Sequence, residues 1–381
     1  MPRVALVHDF LVDVRGAERV FAVLADLYPD ADLFTGIYDE DGTQGRFAHR
    51  NVQASFLQRL RPNARTFRAL LPLYPRAIEA LDLSGYDLVI SSSSAWAHGV
   101  RIDPGATHVC YCHNPFRYAW DEREATLAAR GRLTRAPLAY VLDRWRDWDR
   151  SAAHRVHRYV ANSEVTRRRI GEHFLREAAV VYPPVEIARF SPGPVGEHYL
   201  VLSELMRHKR LDVAVHAFNR LGLELVVVGD GPDAKRLERL AGPTVRFAGR
   251  VSDERVAELL SSARALVVPA QEEFGIAAVE AQAAGRPVIA LREGGVQETV
   301  VEGRTGAFFE TSQAEALAET VAAFDALAID PEACVASAQR FGPDRFAAGI
   351  RRVVTEALGE APQRSSNGRV PHRDPVGEPA R

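Results

Sequence analysis

The sequence predicts an α/β protein of two doubly wound, Rossmann-like domains facing each other across a cleft. Three observations predict it. Short β-branched apolar runs alternate with amphipathic stretches along most of the chain, the pattern of a parallel sheet covered by helices on both faces. The pattern is played through twice. Between the two passes lies PPVEIARFSPGPVGEH (183–198), with four Pro, two Gly and neither helix nor strand period, which reads as a linker.

In the first pass the expected strands are 4–9, 31–38, 87–92, 107–113, 158–163 and 179–185, with helical stretches such as GAERVFAVLADLY between them. Ser91–Ser94 end a strand and are expected to cap the next turn, with a place lining the cleft as the alternative. Cys110 and Cys112 alternate on one strand and read as small buried hydrophobes, since no second Cys pair or His cluster accompanies them. In the second pass the strands are 198–204, 224–231, 245–251, 265–270, 286–291 and 306–310. The domains are therefore 1–188 and 189–341, with a helix over 342–360 expected to pack back on the first domain. The Pro/Gly/Ser/Arg-rich stretch 361–381 is expected to be a disordered tail.

Composition narrows the function classes. Lys plus Arg is 48 against 50 for Asp plus Glu, a net charge of -2 that supplies no drive toward nucleic acid. No apolar run approaches the roughly 20 residues that span a bilayer, and the opening MPRVALVHDF reads as a strand rather than a secretion signal. Three Cys in 381 residues argue against a disulfide framework, and the expected location is the reducing cytoplasm. Neither domain's first strand is followed by G-x-G-x-x-G, which disfavours a dinucleotide oxidoreductase.

Doubly wound sheets bind ligands at the carboxyl ends of their strands. There, PAQEEFGIAAVEAQAAGRPVIA (269–290) ends a strand, turns through Gln271-Glu272-Glu273-Phe274-Gly275 and starts a small-residue helix. Free N–H groups at such a helix start favour an anion such as a diphosphate, and Gly275 lets it approach the backbone. Glu280, about one turn in, is suited to accept from neutral hydroxyls of a ribose or sugar. Solvated helix-start charge is the equal alternative for Glu272, Glu273 and Glu280 on their residues alone.

The spacing Glu272-x7-Glu280 resembles the E-x7-E signature of retaining glycosyltransferases of the GT-B fold, family 4. The resemblance runs along nearly the whole chain: RGAERV (15–20), YCHNPFRYAWD (111–121) of the mannosyltransferase-like group, VANSEVTRRRI, VVYPPVE, HKRLD (208–212), VVVGDGP (226–232) and GGVQETVVEGRTG (294–306) occur in order. It implies a catalytic set of His113 pointing at the donor sugar, Glu272 beside it and Lys209 offsetting the diphosphate charge. It also implies ribose held by Glu280, sugar and phosphate contacts from the N–H groups near Phe274, Gly275 and Ile276, and close backbone approach at Gly16. The base would lie near Phe247, Gly249 and Arg250. Two positions depart from the family pattern: Arg15 stands where a Gly is usual, and Glu204 where an Arg is usual. An acid beside a diphosphate repels it unless it is turned away or a cation such as Arg207 or Arg210 compensates; contact with an acceptor hydroxyl is the alternative for Glu204, and Arg15 could itself reach a phosphate.

The resemblance implies transfer of a hexose, mannose first, from a nucleotide diphosphate sugar with retention and without a metal or other cofactor. GDP-mannose is the first donor considered, and a glycan or lipid-linked saccharide the acceptor. Arg61, Arg65, Arg68 and Arg76, interleaved with Leu and Tyr, and the arginines from Arg130 to Arg158 suit peripheral association with the inner face of a membrane; a solvated helix surface interleaved with Asp143, Asp147 and Asp149 is the alternative, and the slightly favoured one. A non-catalytic nucleotide-sugar binder, motivated by Glu204, and a sugar-nucleotide epimerase on the same scaffold are the alternatives.

Overall fold

A computed structural model describes residues 2–63, 66–324 and 329–360. The expected tail 361–381, and Arg65, lie outside the described residues.

The described residues form two parallel sheets. The first has the order β3-β2-β1-β4-β5-β6-β7, from β1 (Val4–His8), β2 (Asp32–Thr35), β3 (Val52–Ala54), β4 (Leu88–Ser93), β5 (Thr107–Cys112), β6 (Arg158–Ala161) and β7 (Ala178–Val180). The second has the order β10-β9-β8-β11-β12-β13, from β8 (Tyr199–Leu202), β9 (Leu225–Val228), β10 (Val245–Gly249), β11 (Leu266–Val268), β12 (Val288–Leu291) and β13 (Gly306–Phe309). All pairings are parallel. With helices on both faces, the central strands β4 and β5 are buried at every residue, which is why their sequences read as continuous rather than alternating.

The edge strand β3 is absent from the sequence expectation. It has three residues, and its middle one, Gln53, is exposed. So short a run carries no periodicity to read, and shortness is itself a common way to blunt a sheet edge. The buried thiols of Cys110 and Cys112 belong to the core on one face of the first sheet, and burial pushes both up in pKa, as inert hydrophobes require.

The segment after β7 crosses to the second lobe, where Val185 and Phe190 join the core and Val185 N–H donates to Phe341 O at 2.9 Å. The chain then returns. Helix Pro343–Glu360 buries Phe346, Ile350, Val353, Val354 and Ala357 in the core of the first lobe, beside Phe21, Tyr111 and Val181. Gly349 makes the fit, because a Cβ there would stand 2.7 Å from Val181 Cγ1. The lobes are thereby joined by two crossings.

Each sheet reverses strand order once, between β1 and β4 and between β8 and β11. These are the points where two adjacent strands send their chains to opposite faces and leave a crevice. The loops leaving β1 and β4 border the first crevice; those leaving β8 and β11 border the second.

Removing the Phe346 ring should lower unfolding stability by about 3–5 kcal/mol, the usual range for a buried phenylalanine. Arg352→Ala, on the exposed face of the same helix, should stay within about 0.5 kcal/mol. Urea unfolding of the two variants checks this, and equal stability of both would show that the returning helix is not a structural part of the first lobe.

Candidate active site between the lobes

The loop 271–275 after β11 is shaped by close backbone packing. Gly295 N–H donates to Glu272 O at 2.7 Å, and a Cβ on Gly294 or Gly295 would collide with the carbonyls of Glu272 and Glu273. Gly275 has φ +91, the left-handed region, and a Cβ there would lie 2.9 Å from Val296 Cγ1. Helix Ile276–Ala283 therefore starts on a residue that has no side chain to cap it. Its first N–H groups have no partner inside the helix and are available to an anion.

Across the cleft stands Gly16, first residue of helix Gly16–Leu27. A Cβ on Gly16 would touch Ile276 Cδ1 at 3.4 Å. The two switch-point crevices thus meet at the amide end of the Ile276 helix. Glu280, one turn further along, is half-buried, and no hydrogen bond to its carboxylate is made among the described residues. Burial raises its pKa, offset in part by the charges of Arg19 and Arg189. A carboxylate so placed is an acceptor without donors.

The other expected residues divide. Lys209 and Glu272 bond each other, Nζ to Oε2 at 2.6 Å, and this pairing keeps Lys209 firmly protonated despite its burial. Phe274 contributes its backbone only: its ring is in the core against Tyr182 and Phe341, at 5.6 and 5.3 Å between centroids. Phe247 packs against the second lobe's core, and Arg250, after β10, reaches Asp13 of the other lobe at 2.9 Å. Arg207 is 84% exposed and its nearest acid is Asp233 at 3.8 Å, so the compensation of Glu204 expected from Arg207 does not occur. Arg210 pairs with Asp212 instead.

His113, the residue just past β5, is half-buried. Its Nε2 contacts Ser92 Oγ at 2.9 Å, and Ser92 contacts His8 Nδ1 at 3.1 Å. Burial, with His8 nearby, pushes His113 down to about 3, so it is neutral across the physiological range. The expectation that the 91–94 serines cap the next turn is corrected here. Asp9 does so, accepting from the N–H groups of Ala95, Trp96 and Ala97 at 3.0, 2.7 and 2.6 Å, while Ser91 and Ser92 bond histidines. A carboxylate takes several amides at once, which one hydroxyl does not.

Sequence reasoning missed the ion pairs that cross the cleft. Arg117 bonds Glu273 at 2.8 Å, Arg169 stands 3.7 Å from the same carboxylate, and Arg19 bonds Asp253 at 2.7 Å. Arg15 pairs with Glu204, and the Glu164 N–H donates to Glu298 at 2.9 Å. Burial opposes the charge on Glu273, but Arg117, Lys209 and Arg169 outweigh it and hold its pKa below the ordinary value. His208, pushed down to about 4 by burial and by Arg117 and Lys209, is neutral and contacts Arg117 at 2.9 Å. The signal for Arg117 was present in HNPFRY; nothing local in the sequence marks its partner.

Two family models match the chain in succession: Glycosyltransferase Family 4 over residues 14–189 and Glycosyl transferases group 1 over 192–341. The chain belongs to the GT-B glycosyltransferases of family 4. A GDP-mannose-dependent alpha-mannosyltransferase of Corynebacterium glutamicum is 30% identical over 185 residues, 45% of this chain and 44% of that protein. A D-inositol 3-phosphate glycosyltransferase of Streptomyces avermitilis is 29% identical over 245 residues, 53% of this chain and 52% of that one. The chain spans about half the length of the curated relatives it matches. Among solved structures, the sucrose-phosphate synthase of Thermosynechococcus elongatus aligns over 94% of this chain and 100% of its own at 19% identity, TM-score 0.73. Anabaena HepE in complex with UDP-glucose aligns over 93% and 100% at 18% identity, TM-score 0.68. These likenesses carry the GT-B fold.

Hydroxyls donate to an ionised carboxylate, so their binding expels the proton that the raised pKa of Glu280 favours. If Glu280 holds the ribose of a nucleotide, as the family resemblance implies, nucleotide affinity should rise with pH through that pKa and level off, with no step from His113 or His208 near neutrality. Titration of GDP and UDP across mildly acidic pH checks this. Glu280→Gln should abolish the step; its persistence would assign it to another group.

Proposed function

We propose that the protein is a retaining hexosyltransferase, moving mannose as first choice from GDP-mannose to a glycan or lipid-linked saccharide. The observation that carries this reading is Glu280: a half-buried carboxylate without donors, one turn inside a helix whose amide end is uncapped and faces Gly16 of the other lobe. A nucleoside diphosphate supplies what each part lacks, phosphate for the amides and ribose hydroxyls for the carboxylate. The mannosyltransferase relatives support the donor choice; HepE with UDP-glucose makes the uridine nucleotide its main rival.

In this reading the helix amides and Lys209 stabilise the leaving diphosphate. Glu272, held by Lys209 at 2.6 Å, accepts from a hydroxyl of the donor sugar, while neutral His113 faces the sugar from the acceptor lobe. The base lies by Phe247 and Arg250. The anomeric carbon–phosphate oxygen bond breaks, the acceptor oxygen bonds the same carbon on the same face, and its proton passes to the departing phosphate oxygen. A covalent route needs a free carboxylate nucleophile. Glu272 is already bound to an ammonium and Glu280 is committed to ribose, which favours the front-face route. Closure of the lobes excludes water that would hydrolyse the donor. No metal takes part, so EDTA should leave turnover unchanged.

The first lobe exposes Phe56, Leu60 and Leu73 in a stretch that also carries exposed Arg59, Arg61, Arg68 and Arg76. That mixture suits an anionic membrane surface bearing a lipid-linked acceptor, as at the cytoplasmic face. Among the described residues, no helix is long and apolar enough to cross a membrane.

Thermal shift with GDP-mannose and UDP-glucose tests the donor. A ligand at about 100 times its Kd stabilises by about 2.7 kcal/mol. One donor should raise the melting temperature, and both Glu280→Ala and Lys209→Ala should diminish the shift; no shift with any nucleotide sugar would refute the reading. Glu204 is the one feature that favours a non-catalytic binder. Turnover of the stabilising donor with lipid-linked saccharides separates the two, since a binder releases no nucleotide.

A further inference from the structure

We propose that Arg15 is a ligand of the donor diphosphate supplied from the acceptor lobe, and that Glu204 is the counter-ion that holds it while the cleft is empty. The inference rests on the nucleotide-sugar reading above and names a residue that reading does not use.

Arg15 immediately precedes Gly16, whose backbone abuts Ile276 at the amide end of the donor helix. Its guanidinium is shared between Asp13 of its own loop, at 2.9 Å, and Glu204, which lies just past β8 on the opposite lobe. Lys209 is bound to Glu272, which the reading above places on the donor sugar, and Arg117 to Glu273. The Arg15–Glu204 pair differs. Glu204 stands at the second switch point, where an arriving diphosphate repels it, and the same diphosphate attracts Arg15.

The exchange balances in charge. Arg15 and Glu204 are 45% and 30% exposed, so water screens their pairing and it breaks readily. A guanidinium on phosphate makes paired charge-assisted bonds that are stronger and better oriented. Asp13 keeps Arg250, at 2.9 Å, when Arg15 leaves. Glu204 keeps Arg68, whose Nη2 is already 3.8 Å away. No charge is left alone, and the diphosphate becomes a bridge between the lobes. The two departures from the family pattern, Arg15 and Glu204, are thus partners across the cleft.

Isothermal titration of the full chain with GDP, GMP, UDP and UMP tests this. Arg15→Ala should weaken the preferred diphosphate about tenfold to a hundredfold, the loss expected for a charge-assisted bond, while the matching monophosphate loses much less. Glu204→Gln should tighten the diphosphate severalfold by releasing Arg15. The exchange R15E/E204R should recover affinity lost in R15E alone. Undiminished diphosphate binding by Arg15→Ala, or weakening by Glu204→Gln, would make the pair a structural bridge and overturn the proposal. If the wild-type chain binds none of the four nucleotides, the donor reading falls and this inference with it. If Glu280→Ala weakens binding and Arg15→Ala does not, only this inference falls.

Discussion

The left-handed turn at Gly275 is the constraint on which the site depends. It lets the chain leave β11, fold over the Gly294-Gly295 loop and enter the Ile276 helix with no capping side chain. A β-carbon at Gly275 would strike Val296 and strain the backbone; one at Gly294 or Gly295 would push the 271–275 loop off its seat. Either change moves the amide end and Glu280 together, since both belong to one helix. The polar chemistry of the cleft is in this sense a product of backbone packing beneath it.

The second feature is how lightly the lobes are held together at the cleft. The bridging groups are charged, and most of the pairs are partly exposed, as with Arg19–Asp253 and Arg250–Asp13. Pairs of this kind contribute about 0–1 kcal/mol each. They align the lobes without locking them. The apolar connection lies elsewhere, where the 185–190 segment joins the second core and the returning C-terminal helix joins the first. That division suits a hinge: cohesion at the back, exchangeable charge at the front.

The architecture was legible because buried parallel strands leave long β-branched runs, and the linker leaves a run of Pro and Gly between them. The three-residue β3 escaped because it is too short to carry a period. The geometry of the helix end was legible: Gly275 does start the helix in the left-handed region, and Glu280 does lie one turn further along it. The ion pairs were not. Arg117 and Glu273 are 156 residues apart and Arg15 and Glu204 lie on different lobes; only the facing of the lobes brings them together. Arg207 was misjudged for the converse reason: proximity in sequence to Lys209 placed it near the cleft, but a 3-10 turn over Arg207–Lys209 directs it toward Asp233. Likewise the serine run after β4 suggested caps, whereas Asp9, brought alongside by the β1–β4 pairing, took that task.

The central claim concerns where a nucleotide sugar comes to rest, and a crystal structure of the protein with GDP-mannose or UDP-glucose measures it. The expected result is diphosphate density against the first amides of the Ile276 helix and both ribose hydroxyls within hydrogen-bond distance of Glu280. Density for the nucleotide elsewhere on the protein, or a ribose bound with Glu280 left without a partner, would contradict it.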